Sequence, residues 1–251
     1  MRVLVADLEG DGFLDNLTTL WALGVFDMTD NVYTEYTDHR PGAPSLEEGL
    51  SKLQAADLVV GHNFLGYDVF AVEKLYPEFA LDINKVRDTQ VLSRLLNPSR
   101  KGGHSLDALG SSLFNAPKHP SPDFSRYSAE MSEYLKQDLR LGVRIWKWLS
   151  RETADFGYSV ELEHKFAYLM ALQMQNGFPF DEPRARELLV ELTGKKAELE
   201  TKLKEAFPPW WTSAGEFTPK KDDAKKDYVA GATITKIELE EFNPGSRQQI
   251  A

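Results

Sequence analysis

Near its start the chain carries an apolar, β-branched run, Val3-Leu4-Val5-Ala6, that passes straight into two acids, Asp7 and Glu9. Such a run reads as a buried central strand, which requires a sheet covered on both faces. Side chains alternate faces along a strand, so Asp7 and Glu9, two apart, point the same way. Two carboxylates on one face repel each other unless a cation lies between them. Solvated acids at a strand end are the other reading.

Two further motifs place acids on helices. A short apolar strand over 57–61 runs into His62-Asn63-Phe64-Leu65-Gly66, a turn, after which Tyr67-Asp68-Val69-Phe70 opens a helix. There Asp68 either serves chemistry or only interacts with the helix dipole. Later, Leu135, Leu139, Val143 and Trp146 recur at near-helical spacing within 128–150. Tyr134 and Asp138 lie i, i+4 on that helix and share one face. A surface Tyr–Asp pair is the plain alternative. Taken together, four carboxylates and a tyrosine suit a site for two hard divalent cations, Mg²⁺ or Mn²⁺. The sequence has no cysteine to favour softer metals. Two-metal sites are a nuclease and polymerase device.

The pattern D-x-E, N-x-x-x-Y-D, Y-x-x-x-D resembles the proofreading 3′–5′ exonuclease domains, which have a ribonuclease H-like fold. More closely, the chain resembles the N-terminal part of family A replicative DNA polymerases of short-tailed bacteriophages. Supporting stretches are Asp88-Thr89 with Val91-Leu92-Ser93-Arg94-Leu95, Gly103-His104-Ser105-Leu106, Glu163-His164, and Gln175-Asn176-Gly177-Phe178-Pro179-Phe180-Asp181. Asp227-Tyr228-Val229-Ala230-Gly231-Ala232 and Phe242-Asn243-Pro244-Gly245-Ser246-Arg247 continue the match in order.

The resemblance implies a role for each matching residue. Asp7, Glu9 and Asp138 would hold the ion that activates water, with Asp7 bridging to a second ion and Asp68 behind it. Tyr134 would orient the nucleophile. Asn63 matches a residue that contacts the terminal nucleotide, and Leu14 sits where such enzymes wedge an apolar side chain against the last base. His62 lies near the substrate phosphate or is a hydrogen-bonded turn histidine. Asp88 caps a helix or supports the site from behind. The implied substrate is the 3′ end of single-stranded DNA. No polymerase active site is expected in this chain. Its relation to longer polymerases suggests a split or interrupted gene, an artificial chain boundary being the alternative. A second polypeptide carrying the polymerase domain would then bind residues 156–251. A free-standing exonuclease of RNA processing or repair, and a non-catalytic scaffold subunit, are the competing functional readings.

The expected fold is α/β: a ribonuclease H-like mixed sheet flanked by helices over 1–155, with a helical C-terminal extension over 156–251. Strands are predicted near 2–7, 18–27, 32–37, 57–61 and 83–87, and helices near 45–55, 67–76, 89–97, 105–113 and 128–150. Two more helices, 159–175 and 182–206, are joined by a turn at Asn176-Gly177-Phe178-Pro179. The polar, Lys- and Asp-rich stretch 207–251 is expected to be partly disordered without a partner. A net charge of −10 argues against broad, non-specific DNA binding. Arg94, Arg100, Lys101 and Lys118 are the candidates for local backbone contacts. No membrane span or signal pattern is evident, and the expected location is the cytoplasm.

Overall fold

The computed structural model describes residues 1–116 and 120–250; Lys118 lies outside them. The predicted first strand forms as β1, Val3–Gly10, and is central. β2 (Leu20–Asp27) and β3 (Val32–Tyr36) add to one side of it antiparallel. β4 (Leu58–Gly61) and β5 (Val86–Asp88) add to the other side parallel. The order is therefore β3-β2-β1-β4-β5, a mixed five-stranded sheet. The last strand begins later than predicted because Asp82 accepts from Asn84 N (3.0 Å) and winds 83–85 into a single tight turn.

Alternation along β1 splits the core. Leu4, Ala6 and Leu8 join one apolar cluster with residues of α1 (Leu46–Gln54) and α2 (Asp68–Leu75). On the other face Val5 meets Val60 together with Leu139 and Val143 of α5, Ala129–Glu152. Gly24 of β2 lets α5 settle on the sheet, since a Cβ there would stand 3.1 Å from the Leu135 side chain. α3 (Thr89–Leu96) and α4 (Leu106–Phe114) buttress α5 through Leu92, Leu109, Leu141, Ile145 and Leu149. Each such side chain, fully buried, contributes about 1.5–3 kcal/mol. Ser45, Asp88, Ser105 and Ser128 cap the helices that follow them, each accepting a first-turn amide.

The chain divides into two compact units, Met1–Gly177 and Phe178–Ala251. The first unit therefore includes α6 (Tyr158–Asn176), beyond the boundary of 155 expected from the sequence. Tyr168 of α6 stacks on Phe70 with ring centroids 5.8 Å apart, and His164 is buried against β5. In the second unit α7 spans Glu182–Ala206 as predicted. The following stretch, for which the sequence predicted no strands, contains two. Trp210–Phe217 (β6) and Ile234–Glu240 (β7) pair as a two-stranded antiparallel sheet, with Trp211 opposite Leu239 and Ser213 opposite Ile237. The β-branched and aromatic residues within the polar sequence supply that pairing. A short helix, α8, runs over Arg247–Ile250. No described helix is long and apolar enough to cross a membrane.

His164 makes stability depend on pH. Burial, reinforced by nearby Arg87, lowers its pKa to about 4. In the unfolded chain a histidine takes its proton near pH 6.5. Between these values the unfolded state binds more protons, so the contribution is complete above about pH 6.5 and is lost as pH falls through 4. Between pH 7 and 4 the native chain should lose roughly 3 kcal/mol more than a His164→Gln variant. Urea unfolding at both pH values reads this difference directly, and parallel losses in the two proteins would contradict it.

Candidate active site

β1 outruns its parallel neighbour. The β1–β4 pairing stops at Val5 and Val60, so the far half of β1 leaves that edge open. Asp68, the first residue of α2, fills the gap: its Oδ1 accepts from Leu8 N at 3.2 Å. Beyond this point Asp7 and Glu9 project on the Val5 face of the strand, towards α5. Tyr134 and Asp138 project from α5 one turn apart and are buried among core residues. Asp7, Glu9 and Asp138 each offer a carboxylate oxygen within 4.8 Å of the other two. Glu9 is 8% exposed and Asp138 4%. A cluster of hard oxygen donors this tight and this dry fits Mg²⁺ or Mn²⁺.

Asp7, Glu9, Tyr134, Asp138 and His62 line one cavity of about 270 Å³. Asp68 stands behind it, fully buried, rather than within the close trio. Burial raises the Asp68 carboxyl well above the usual carboxylate range, and the charges of Asp7 and then Asp88 push it further. A neighbouring cavity of about 670 Å³ shares Glu9 and is walled by Leu14, Asn63, Tyr67 and Met174. Apart from Asp68, the residues assigned from sequence thus line an acidic pocket and an adjoining, more apolar one. Asn63 holds a left-handed backbone, φ 58°, at the rim.

The turn bearing Asn63 is held from β5. The Asp88 carboxylate accepts from Asn63 N (3.0 Å) and Leu65 N (3.1 Å), and also from Gln90 N (2.8 Å) at the start of α3. Asp88 therefore does both of the things expected of it. His62 is a hydrogen-bonded turn histidine, its Nδ1 lying 2.8 Å from Thr89 Oγ1, and it also faces the acidic cavity.

Sequence reading missed Phe124 and Glu35. Phe124 lines both cavities, meets the Tyr134 ring edge-on at 5.9 Å, and is tied down by Trp21 Nε1, which donates to its carbonyl at 2.8 Å. It lies in a proline-containing loop with no periodicity to mark it. Glu35, buried on β3, accepts from Tyr127 Oη (2.6 Å) and from Ser132 Oγ. It thereby anchors the start of α5 two residues before Tyr134. A lone acid in a strand gives no local sign of such a role.

No family model matches the chain. Along 99% of its length the chain is 27% identical to a DNA-directed DNA polymerase of Enterobacteria phage T3, and equally to that of Escherichia phage T7. It spans about half (49%) of the length of these curated relatives. The resemblance to phage DNA polymerases read from the motifs is thereby borne out. Among solved structures, Brucella melitensis NrnC bound to pGG is similar with a TM-score of 0.53 and 17% identity, covering 72% of this chain and 90% of that one. The same protein with bound Mg²⁺ gives 0.52 and 18%, with the same coverage. The fold is ribonuclease H-like, as expected.

Proposed function

We propose that this chain is a metal-dependent 3′–5′ exonuclease that removes nucleotides from DNA 3′ ends, the proofreading part of a phage DNA polymerase acting in the host cytoplasm. The observation that carries this reading is the convergence of Asp7, Glu9 and Asp138 to within 4.8 Å in a cavity also lined by Tyr134. The phage relatives and the Mg²⁺-bound and pGG-bound fold neighbours support it.

Asp7, Glu9 and Asp138 would hold divalent ions, with Asp7 shared and Asp68 behind it on the side of the second ion. Two such ions, when bound, supply a water of lowered pKa and neutralise charge on the phosphate. Tyr134 would orient the attacking water through its hydroxyl. Asn63 and Leu14, in the adjoining cavity, would seat the terminal nucleotide, and Phe124 closes the wall between. Replacement of Tyr134 by phenylalanine should slow cleavage about 10- to 100-fold through misplacement of the nucleophile. The ring and its packing on Phe124 remain in that variant, so the chain should still fold, as a thermal melt would show. Equal rates in the two proteins would remove Tyr134 from the chemistry.

The direct experiment incubates the chain with 5′-labelled single-stranded DNA or RNA, with Mg²⁺, with Mn²⁺ or with chelator. A DNA ladder shortening from the 3′ end, lost with chelator, is the expected result. Preference for RNA would favour a free-standing RNA-processing enzyme. No ladder from a folded chain would favour a non-catalytic scaffold.

A polypeptide carrying the remaining polymerase half is the proposed partner of residues 156–251. The match takes in about half (49%) of the relatives' length, and Leu189 and Val190 of α7 are 65% and 74% exposed. Mixing with such a polypeptide should give a complex in size-exclusion chromatography.

A further inference from the structure

The Glu163-His164 motif has no place in the chemistry above, yet His164 is one of the most buried polar residues, 4% exposed. Both its ring nitrogens are engaged. Asp88 N donates to Nε2 at 2.8 Å, and Nδ1–H donates to Val160 O at 2.7 Å. An acceptor at Nε2 and a donor at Nδ1 define a neutral ring with one tautomer. The pKa of about 4, lowered mainly by burial, agrees with that state at neutral pH.

The bond to Asp88 matters because of what Asp88 does next. Its carboxylate takes the amides of Asn63 and Leu65, and it ends β5 where β5 pairs with Gly61. The turn itself has little slack. Asn63 is left-handed, and a Cβ on Gly61 would stand 2.2 Å from the Phe64 ring. A displaced Asp88 therefore displaces the Asn63 turn as a unit. The acidic trio is held separately, on β1 and α5. α6 reaches the same substrate wall a second time, since Met174 and Gln175 line the larger cavity with Asn63 and Leu14.

We propose that His164 is a positioning residue for the DNA 3′ terminus: through Asp88 it sets the Asn63 turn, and so makes α6 part of the exonuclease rather than a linker after it. This rests on the exonuclease reading above. Its signature is a change in how substrate is held, with the chemical step spared.

Three variants of the full chain test it: His164→Leu, which removes the acceptor; His164→Asn, whose amide is too short to reach Asp88 N; and His164→Gln, whose carboxamide oxygen extends to the Nε2 position. The Leu and Asn variants should raise KM for single-stranded DNA about five- to tenfold, the effect of leaving one buried amide unpaired, with kcat within about twofold of native. Gln should restore KM. In ¹⁵N-labelled protein, amide exchange at Asn63, Leu65 and Asp88 should quicken in the Leu and Asn variants and return to native in Gln. If Leu fails to fold, the Asn–Gln comparison decides. Native KM in the Asn variant, or an equal fall of kcat in all three, overturns the assignment while cleavage by the native chain leaves the exonuclease reading standing. Absence of cleavage by the native chain overturns both.

Discussion

Asp7→Ala should lower the rate of DNA cleavage by on the order of 10³-fold or more while leaving the protein at least as stable as before. On the proposed function the loss follows from the place of Asp7, which would hold both ions. Removing a ligand from a metal-assisted step forfeits several kcal/mol of transition-state stabilisation. The stability follows from electrostatics. Asp7 is the largest charge contribution to the upward shift at buried Asp68, so the native cluster is held against its own repulsion. Deleting one member relieves that repulsion at little packing cost. Cleavage of a labelled single strand in Mg²⁺, beside a thermal melt, reads both quantities. Native rates would refute the metal assignment. Lost activity with a melting temperature several degrees lower would make Asp7 a structural residue instead.

Phe64→Ala should have the largest effect on stability, about 3–5 kcal/mol. Phe64 is completely buried in the turn between β4 and α2, packed so closely under Gly61 that no side chain fits there. Its truncation opens a cavity between the sheet and α2 that the turn, bound to Asp88 at Asn63 and Leu65, cannot collapse to fill. Against a total of about 5–15 kcal/mol for a native domain, that is a large share. Chemical denaturation should show the midpoint shifted down with the slope unchanged. A loss below about 1 kcal/mol would mean that the turn relaxes freely. It would also weaken the case that His164 acts through this turn.

The two variants separate the parts of the site. Asp7 belongs to a cluster whose mutual repulsion costs stability and to which the proposed function assigns the chemistry. Phe64, completely buried, belongs to the frame that holds the Asn63 turn. His164 lies between the two classes, remote from the acids yet bonded to the residue that anchors the turn. The pH dependence of stability and the expected change in KM are independent tests of the same buried ring.

Much of this site was legible in the sequence because its signals are local. The β-branched run before Asp7 and Glu9 forms the central strand, and their spacing puts both acids on the face towards α5. The four-residue spacing of Tyr134 and Asp138 puts both on one side of a helix whose apolar stripe turns them inward. The motif Tyr67-Asp68 after a strand and turn placed Asp68 correctly at the start of α2. Element types from Val3 to Ala206 follow from such periodicities, with errors only at ends such as β5. The pairing of β6 with β7 escaped notice because polar residues dilute its β-branched ones, and only the partner strand reveals the register.

What the sequence alone determined is therefore the set of elements and which side of each carries the acids. Tertiary structure decided how far the first compact unit extends and what holds its Asn63 turn. His164 accepts its hydrogen bond from a residue 76 positions away, and Glu35 anchors α5 across 97. Helical and strand periodicity reports the face a side chain shows over a few residues. Whether a buried polar atom there finds a partner depends on which distant backbone group the packed core brings to it.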